Sequence, residues 1–468
     1  MSSGPTPERS RRRSGTAPWP RAGLKPWPPA GSPRVTNLYR AIAKSMGSKY
    51  LAYAVQFAAL MILTRVFTPE LFGIVAAVQV FYLFFQLVAE GGLSPAIIGL
   101  HELDTKDRDG IFGLTILIGA GLALAFLAMG PLLAMFYGMP ELPAVVPFIA
   151  LGLMLNAWAI LPMAQLQRQQ SFLQLAGGAV AAELAALLLV LLARQHVSPL
   201  YAISLRIPAV ALVNFMFAYY FCGKTDFERP KPGRRFSAIN SLLQVSGYQL
   251  AFNVLNFFSR NLDNVLVGRY LGAPLLGIYD RSYQLMRYPL QLLTFAMTPA
   301  IQPALRGHVN EPRFILKLHQ DLTFKLSLLG IACAFGIYMF AKPMVLVAFG
   351  DQWLPSVPVI KLLALTIPVQ VVLSTSGSFF QTFQRTDLLF KCGLFSATTN
   401  VLAIVLGVSL GSLEHLCWAL IVSFHINFFQ AYYLLHKHVL CGGFGRFLKR
   451  MIPAGLGIGT LSAWHALQ

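Results

Sequence analysis

The chain has 468 residues, 56% of them apolar and only 12% charged, with 37 Lys and Arg against 18 Asp and Glu, a formal net charge of +19. A soluble domain carries about a quarter charged residues, so this composition excludes most soluble folds. A basic excess also raises nucleic acid, but that partner needs its cations on one solvated face, and here they fall between apolar runs; nucleic acid is therefore set aside.

Residues 1–35 combine prolines, glycines and the run Arg11-Arg12-Arg13, with no apolar stretch long enough for a signal-peptide core. They read as a disordered basic tail, or as translation upstream of the working start, and stay outside the fold. From Ser45 onward, apolar runs of roughly 20 residues recur, each long enough to cross a hydrocarbon core of about 30 Å as a helix. They fall near 47–65, 72–99, 111–137, 144–163, 173–193, 199–221, 242–266, 275–304, 323–348, 355–379, 389–408 and 413–435, and a weaker run covers 451–467. Pro95 and Pro299 near the ends of the two longest runs mark expected tilts or kinks. The expected fold is an all-α integral membrane protein of about twelve transmembrane helices, thirteen or fourteen if the last run is counted.

Loop charge gives the orientation, because Lys and Arg accumulate on cytoplasmic connections. Counting from a cytoplasmic N-terminus, that side holds most of the basic residues, among them Lys224, Arg229, Lys231, Arg234 and Arg235, while the opposite side keeps Arg65, Arg194, Arg269 and Lys342. The charged, proline-containing stretch 223–240 divides the helices six and six. The predicted organisation is thus a tail at 1–35, a six-helix half at 36–222, a cytoplasmic linker at 223–240, a second six-helix half at 241–436, and a basic juxtamembrane segment with an extra helix at 437–468.

An internal repeat supports that division. At an offset of 204 residues, RVFTPELFGI (65–74) overlies RYLGAPLLGI (269–278), sharing Arg, Leu, Gly and Ile, and SPAI (94–97) overlies TPAI (298–301). Both segments occupy the first-to-second and seventh-to-eighth helix positions and point the same way across the membrane. The expectation is a parallel duplication, its halves related by a pseudo-two-fold axis along the membrane normal around a central cavity.

Five cations remain inside or beside apolar runs, Arg206, Arg260, Arg281, Arg287 and Lys361, with four acids at the same depth, Glu90, Glu183, Asp263 and Asp280. Ionisable groups in a bilayer are costly unless paired or facing water, so the set predicts a polar cavity. Arg260 and Asp263, three apart, could instead neutralise one another. Tyr279, Tyr283 and Tyr288 interleave with this charge, together with Asn261, Asn264 and Gln284. Arginine forks suit phosphate and tyrosine faces suit sugar rings, so a cavity so lined fits a phosphorylated glycan head group whose lipid tail stays in the bilayer. For Tyr279 an interfacial aromatic belt is an equal alternative.

Enzyme signatures are lacking: no P-loop, no G-x-S-x-G, and no internal connection long enough for a catalytic domain. The five cysteines are widely spaced without a C-x-x-C pair, which indicates neither zinc nor a disulfide framework, and no cofactor is expected. His436 and His438, beside Lys437, read as lipid-headgroup contacts rather than metal ligands.

The run RNLDNVLVGRYLGAPLLGIYDRSYQLMRYPLQ (260–291), with LTRVFTPELFGIVAAVQVF (63–81), resembles the Wzx-type polysaccharide flippases, nearest the colanic-acid exporter-like subgroup, within the multidrug/oligosaccharidyl-lipid/polysaccharide exporter superfamily. The resemblance covers roughly 36–450 and is most specific from Asn261 to Gly272. It implies a multi-pass protein of the bacterial cytoplasmic (inner) membrane that flips undecaprenyl-pyrophosphate-linked oligosaccharide repeat units by alternating access, for exopolysaccharide, capsule or O-antigen synthesis, beside a polysaccharide polymerase and export machinery. It makes Asn261, Asp263, Asn264 and Gly268 functional or structural positions. On this reading the pyrophosphate sits near Arg260, Arg281 and Arg287, with Arg206 from the first half and Lys49 at the cytoplasmic entrance. Asn261 and Asn264 line the substrate, and Asp263, Glu90 and Asp280 are the acids for ion pairing or H+ or Na+ coupling. The competing readings are a multidrug-and-toxin efflux cation antiporter of the same superfamily, a membrane-embedded enzyme, and a non-transporting scaffold.

Overall fold

The computed structural model describes residues 33–99, 104–225, 228–235, 254, 257–258, 260–295, 301, 305, 311–440 and 442–467. Among them every regular element is helical. The chain divides into Met1–Gly47 and Ser48–Gln468; of the first unit the described part, 33–47, is helical, and the expected tail otherwise lies outside the described residues.

In chain order the helices are α1 (Pro33–Val66), α2 (Pro69–Glu90), α3 (Leu93–Gly99), α4 (Thr105–Tyr137), α5 (Leu142–Arg168), α6 (Phe172–Ala193), α7 (Pro199–Ser204) and α8 (Arg206–Cys222). There follow α9 (260–270), then α10 (Ala273–Phe295), α11 (Pro312–Ala348), a 3₁₀ turn (Asp351–Trp353), α12 (Ser356–Ala364), α13 (Ile367–Thr382), α14 (Thr386–Ser409), α15 (Leu413–His438) and α16 (Phe444–Leu467). Every apolar run read from the sequence whose residues are described coincides with a helix or a broken helix.

The ends follow local chemistry. Pro69 opens α2, where its missing N–H costs nothing. Gly91, in the left-handed region at φ 49°, closes it by donating to the Leu87 carbonyl at 3.0 Å. The break in the second apolar run therefore comes from the Gly91-Gly92 turn, and Pro95 lies inside α3; Pro299 lies outside the described residues. The run near 355–379 is bent by 49° between α12 and α13. Leu365 and Thr366 donate to the i−3 carbonyls of Leu362 and Leu363, and Pro368 has no N–H with which to continue the helical ladder.

Among the described residues eight helices are long and apolar enough to cross a membrane, or nine with the bent α12–α13 pair as one span. Sequence counting expects twelve. Of the remaining runs, the apolar part of α1 is only Tyr50–Val66 and α10 carries Asp280, Arg281 and Arg287, while most of run 242–266 lies outside the described residues.

α4, α5, α6 and α8 pack into one group, α11 to α16 into another, and α2 and α10 cross between them, α2 also touching α4 and α5 and α10 touching α12 and α13. The described part of the 223–240 stretch lies against the start of α4. Asp109 accepts from the Gly233 N–H through its carbonyl at 2.9 Å and from the Lys231 N–H through its carboxylate at 3.0 Å. The bare Cα atoms of Gly110 and Gly113 admit the Arg235 and Gly233 carbonyls.

Candidate functional site

Small residues set the α2–α10 crossing. A Cβ on Gly73 would lie 1.8 Å from the Ala273 carbonyl oxygen, and one on Gly277 would lie 1.9 Å from that of Pro69. Both pairs are related by the 204-residue offset of the repeat, which carries Pro69 onto Ala273 and Gly73 onto Gly277. Close backbone approach of this kind requires glycine.

The crossing places the polar face of α10 among helices from both packing groups. Arg281 is buried, paired with Asp280 at 2.7 Å and with the Gln284 side chain, and its guanidinium lies 4.8 Å from the Phe72 ring centre on α2. On the other side Arg206, at the start of α8, binds the buried Glu183 of α6 through both Nε and Nη2. The Arg206 and Arg281 charges are close enough to repel each other, and Tyr288 of α10 feels both, as well as Glu183. Tyr288 also meets Phe57 of α1 edge-on at 5.2 Å.

Asp263 of α9 is the second focus. Its carboxylate accepts from the Tyr279 hydroxyl at 2.7 Å and from the Asn264 N–H at 2.9 Å, and the charges of Arg287 and Asp280 act on it. Tyr279 is 0% exposed, which removes the aromatic-belt reading: its hydroxyl is fixed inside the protein. Tyr283 stands 5.8 Å from Tyr279, with the Arg287 guanidinium 5.0 Å from its ring centre and the Arg260 charge acting on it. Arg260 and Arg287 are both exposed.

The sequence-predicted residues thus gather unevenly. Arg206, Arg281 and Asp280 meet with Glu183, while Arg260, Asp263 and Arg287 meet around Tyr279 and Tyr283. Asn264 joins through its backbone, and its side-chain oxygen is buried. Asn261 turns back to donate to the Phe257 carbonyl at 2.9 Å. Glu90 is exposed in the last turn of α2, about 27 Å along that helix from Phe72 at 1.5 Å per residue, and so stands apart from Arg281. Lys361 lies 5.1 Å from the Tyr338 ring centre. Lys49 belongs to α1, and its side chain lies outside the described residues.

Two features escaped the sequence reading. Trp353 Nε1 and Gln352 Nε2 both donate to the Thr64 carbonyl, at 2.7 and 2.6 Å, and Arg65 donates to the Val347 carbonyl at 2.6 Å, tying the end of α1 to the end of α11. His436 is buried, 5.1 Å from His319 between ring centres, so the headgroup reading applies only to the exposed Lys437 and His438. A lone imidazole in α11 gave no signal in sequence, because nothing in the spacing pairs positions 319 and 436.

The sequence profile of the family described as "Polysaccharide biosynthesis protein" matches residues 62–358. The chain belongs to this family. Among known proteins the chain is similar to the teichuronic acid biosynthesis protein TuaB of Bacillus subtilis, 23% identical over 379 residues, 80% of this chain and 78% of that one. The lipopolysaccharide biosynthesis protein WzxC of Escherichia coli is 22% identical over 419 residues, 87% and 82% of the two chains. These similar identities do not single out the colanic-acid subgroup. In fold, the chain superposes on the lipid II flippase MurJ in an inward closed conformation with TM-score 0.70 at 10% identity, covering 90% of this chain and 98% of that one. A multidrug resistance MATE family transporter of the MOP superfamily, in an inward-facing conformation, gives 0.60 at 10% identity, with 88% and 96% covered. The family makes this a polysaccharide biosynthesis protein, and its described helices include eight, or nine with the bent pair, long and apolar enough to cross a membrane.

Proposed function

We propose that the protein flips undecaprenyl-pyrophosphate-linked oligosaccharide repeat units across the bacterial cytoplasmic membrane by alternating access. The observation that carries this is the meeting of Arg206 and Glu183, which precede the 223–240 linker, with Arg281 and Asp280, which follow it. An anionic head group competes with Asp280 and Glu183 for guanidinia that those carboxylates already hold in place. The exposed Arg260 and Arg287 meet it first, and Tyr283 and Tyr288 offer faces to its sugars. Such a charge arrangement fits pyrophosphate better than an organic cation.

The finer architecture belongs to the same proposal: twelve spans plus α16, arranged as six-helix halves at 36–222 and 241–436 about an axis along the membrane normal, with a cytoplasmic N-terminus. The reciprocal approach of Gly73 to Ala273 and Gly277 to Pro69 supports this symmetry. In that orientation the crossing and the Trp353–Thr64 tie both lie toward the periplasmic end.

Deletion of the gene, followed by extraction of lipid-linked repeat units and measurement of surface polysaccharide, tests the reading. Loss of surface polymer with repeat units held in the cytoplasmic leaflet is expected. Normal polysaccharide with increased drug sensitivity would instead establish the efflux alternative.

A further inference from the structure

α11, α15 and α16 meet in a box of rings away from the arginine site. His319 of α11 is 0% exposed and His436 of α15 is 1% exposed. Their ring centres are 5.1 Å apart at an interplanar angle of 77°. Phe379 lies 4.8 Å and Tyr432 5.6 Å from His319, while Phe447 of α16 lies 5.6 Å from His319 and 4.7 Å from His436. Phe444 flanks His436 at 6.2 Å.

Among the described residues none of the four imidazole nitrogens has a hydrogen-bond partner of good geometry, and the Gly442 backbone is the polar group that comes nearest to serving the His436 ring. Every neutral imidazole carries one donor and one acceptor, and a buried polar atom left unmatched is costly. Packing alone would be served better by phenylalanine or leucine. The hydroxyl of Tyr432 is engaged elsewhere, with the Val372 carbonyl at 2.6 Å and Thr375 at 3.1 Å, and so does not answer them.

We infer that His319 and His436 form a proton-binding site whose loading couples H+ to transport. This rests on the transporter reading above and deepens it by naming the coupling ion and its seat. One proton leaves a hydronium ion in the adjoining aqueous phase and adds to a ring nitrogen lone pair. The facing imidazole then accepts the new N–H. The pair gains one positive charge, one nitrogen on each ring becomes satisfied, and no other bond changes.

The surroundings decide what that charge does. Charged groups on the packed elements are already engaged or turned to solvent. Asp321 of α11 is ion-paired with Arg450 of α16. Lys317, Lys437, His438, Arg446 and Lys449 are exposed, His425 of α15, on the cavity wall, is bonded to the Ile421 carbonyl, and α13 carries no ionisable residue. The charge acting on His319 is that of His436. A proton here is therefore an uncompensated charge among aromatic rings, and the state that relieves it is one in which α16 lifts from α11 and α15.

Room for that movement exists. A cavity of about 310 Å³ lies beside the cluster, lined by Phe428, Leu448, Met451 and Val372 among others. Access is also short, because His436 stands two residues from the end of α15 and its own carbonyl is bonded by the Gly442 N–H of the following loop at 3.2 Å. A ligand shifts a conformational equilibrium only by binding the two states differently. A charge buried in one packing and solvated in the other meets that condition.

The test uses the full chain. In micelles, 15N-histidine spectra of the wild type across about pH 4 to 8 should show the His319 and His436 signals moving together with uptake of a single shared proton. Separate titration of the two rings, or no titration, would overturn the site. In proteoliposomes holding undecaprenyl-pyrophosphate oligosaccharide, a pH gradient should accelerate wild-type flipping at least about tenfold, a difference of about 1.4 kcal/mol. His319→Gln and His436→Gln, checked for monodisperse elution, should keep the gradient-free rate and lose the acceleration. Full acceleration in both variants overturns the coupling role. A wild type that does not flip the lipid at all refutes the flippase reading and, with it, the coupling role, while the spectra still decide whether the pair binds a proton.

Discussion

Gly73 and Gly277 are reciprocal partners in one crossing: a Cβ on Gly277 would stand 3.0 Å from the Gly73 nitrogen, and each glycine admits a backbone carbonyl from the opposite helix. Gly73→Ala should therefore force α2 and α10 apart. A cost of about 1–3 kcal/mol, as for overpacking in a filled interior, is expected as a lower melting temperature of the purified protein. Gly121→Ala, with nothing within 4 Å of the new methyl, should be neutral or stabilising by up to about 1 kcal/mol, because alanine favours helix. Equal melting of the two variants would remove the crossing as a constraint.

Breaking the Arg206–Glu183 pair on one side leaves a buried carboxylate without its partner. Arg206→Ala should cost about 3–5 kcal/mol and reduce the amount of folded protein in the membrane. The double variant Arg206→Gln with Glu183→Gln should recover the folded protein and still fail to export polysaccharide. Full export by the double variant would make the pair purely structural.

Arg260 and Arg287 are exposed, so removing either should leave stability within about 0.5 kcal/mol of wild type. Arg260→Ala and Arg287→Ala should each lower surface polysaccharide at unchanged membrane abundance. Wild-type export in both would separate the Tyr283 region from substrate contact.

How much of this was legible depends on which physical pattern was at work. Apolar runs as long as a bilayer is thick announce themselves, and the repeat offset led to the α2–α10 crossing because backbone contact needs glycine at both copies. Orientation around a helix was harder. Tyr279 could face lipid headgroups or the interior on spacing alone, and its bond to Asp263 settles the matter. Arg206 and Glu183 were recognisable as deep charges, but their pairing depends on how α6 and α8 lie against each other. The bend between α12 and α13 was hidden inside one apolar run, although Pro368 sits where the ladder fails. The Arg260–Asp263 spacing suggested a local pair, whereas the carboxylate takes its hydrogen bond from Tyr279, sixteen residues away.

The strap formed by 228–235 carries a practical consequence. By composition it is a solvated spacer, the natural place to insert an epitope or to expect tryptic cleavage. Yet Asp109 grips its backbone twice, Pro232 follows Lys231, and the Gly233 and Arg235 carbonyls rest in notches on α4. Cutting or tagging it means peeling it from that helix first, so digestion of the strap is a gauge of whether the opening turns of α4 are docked.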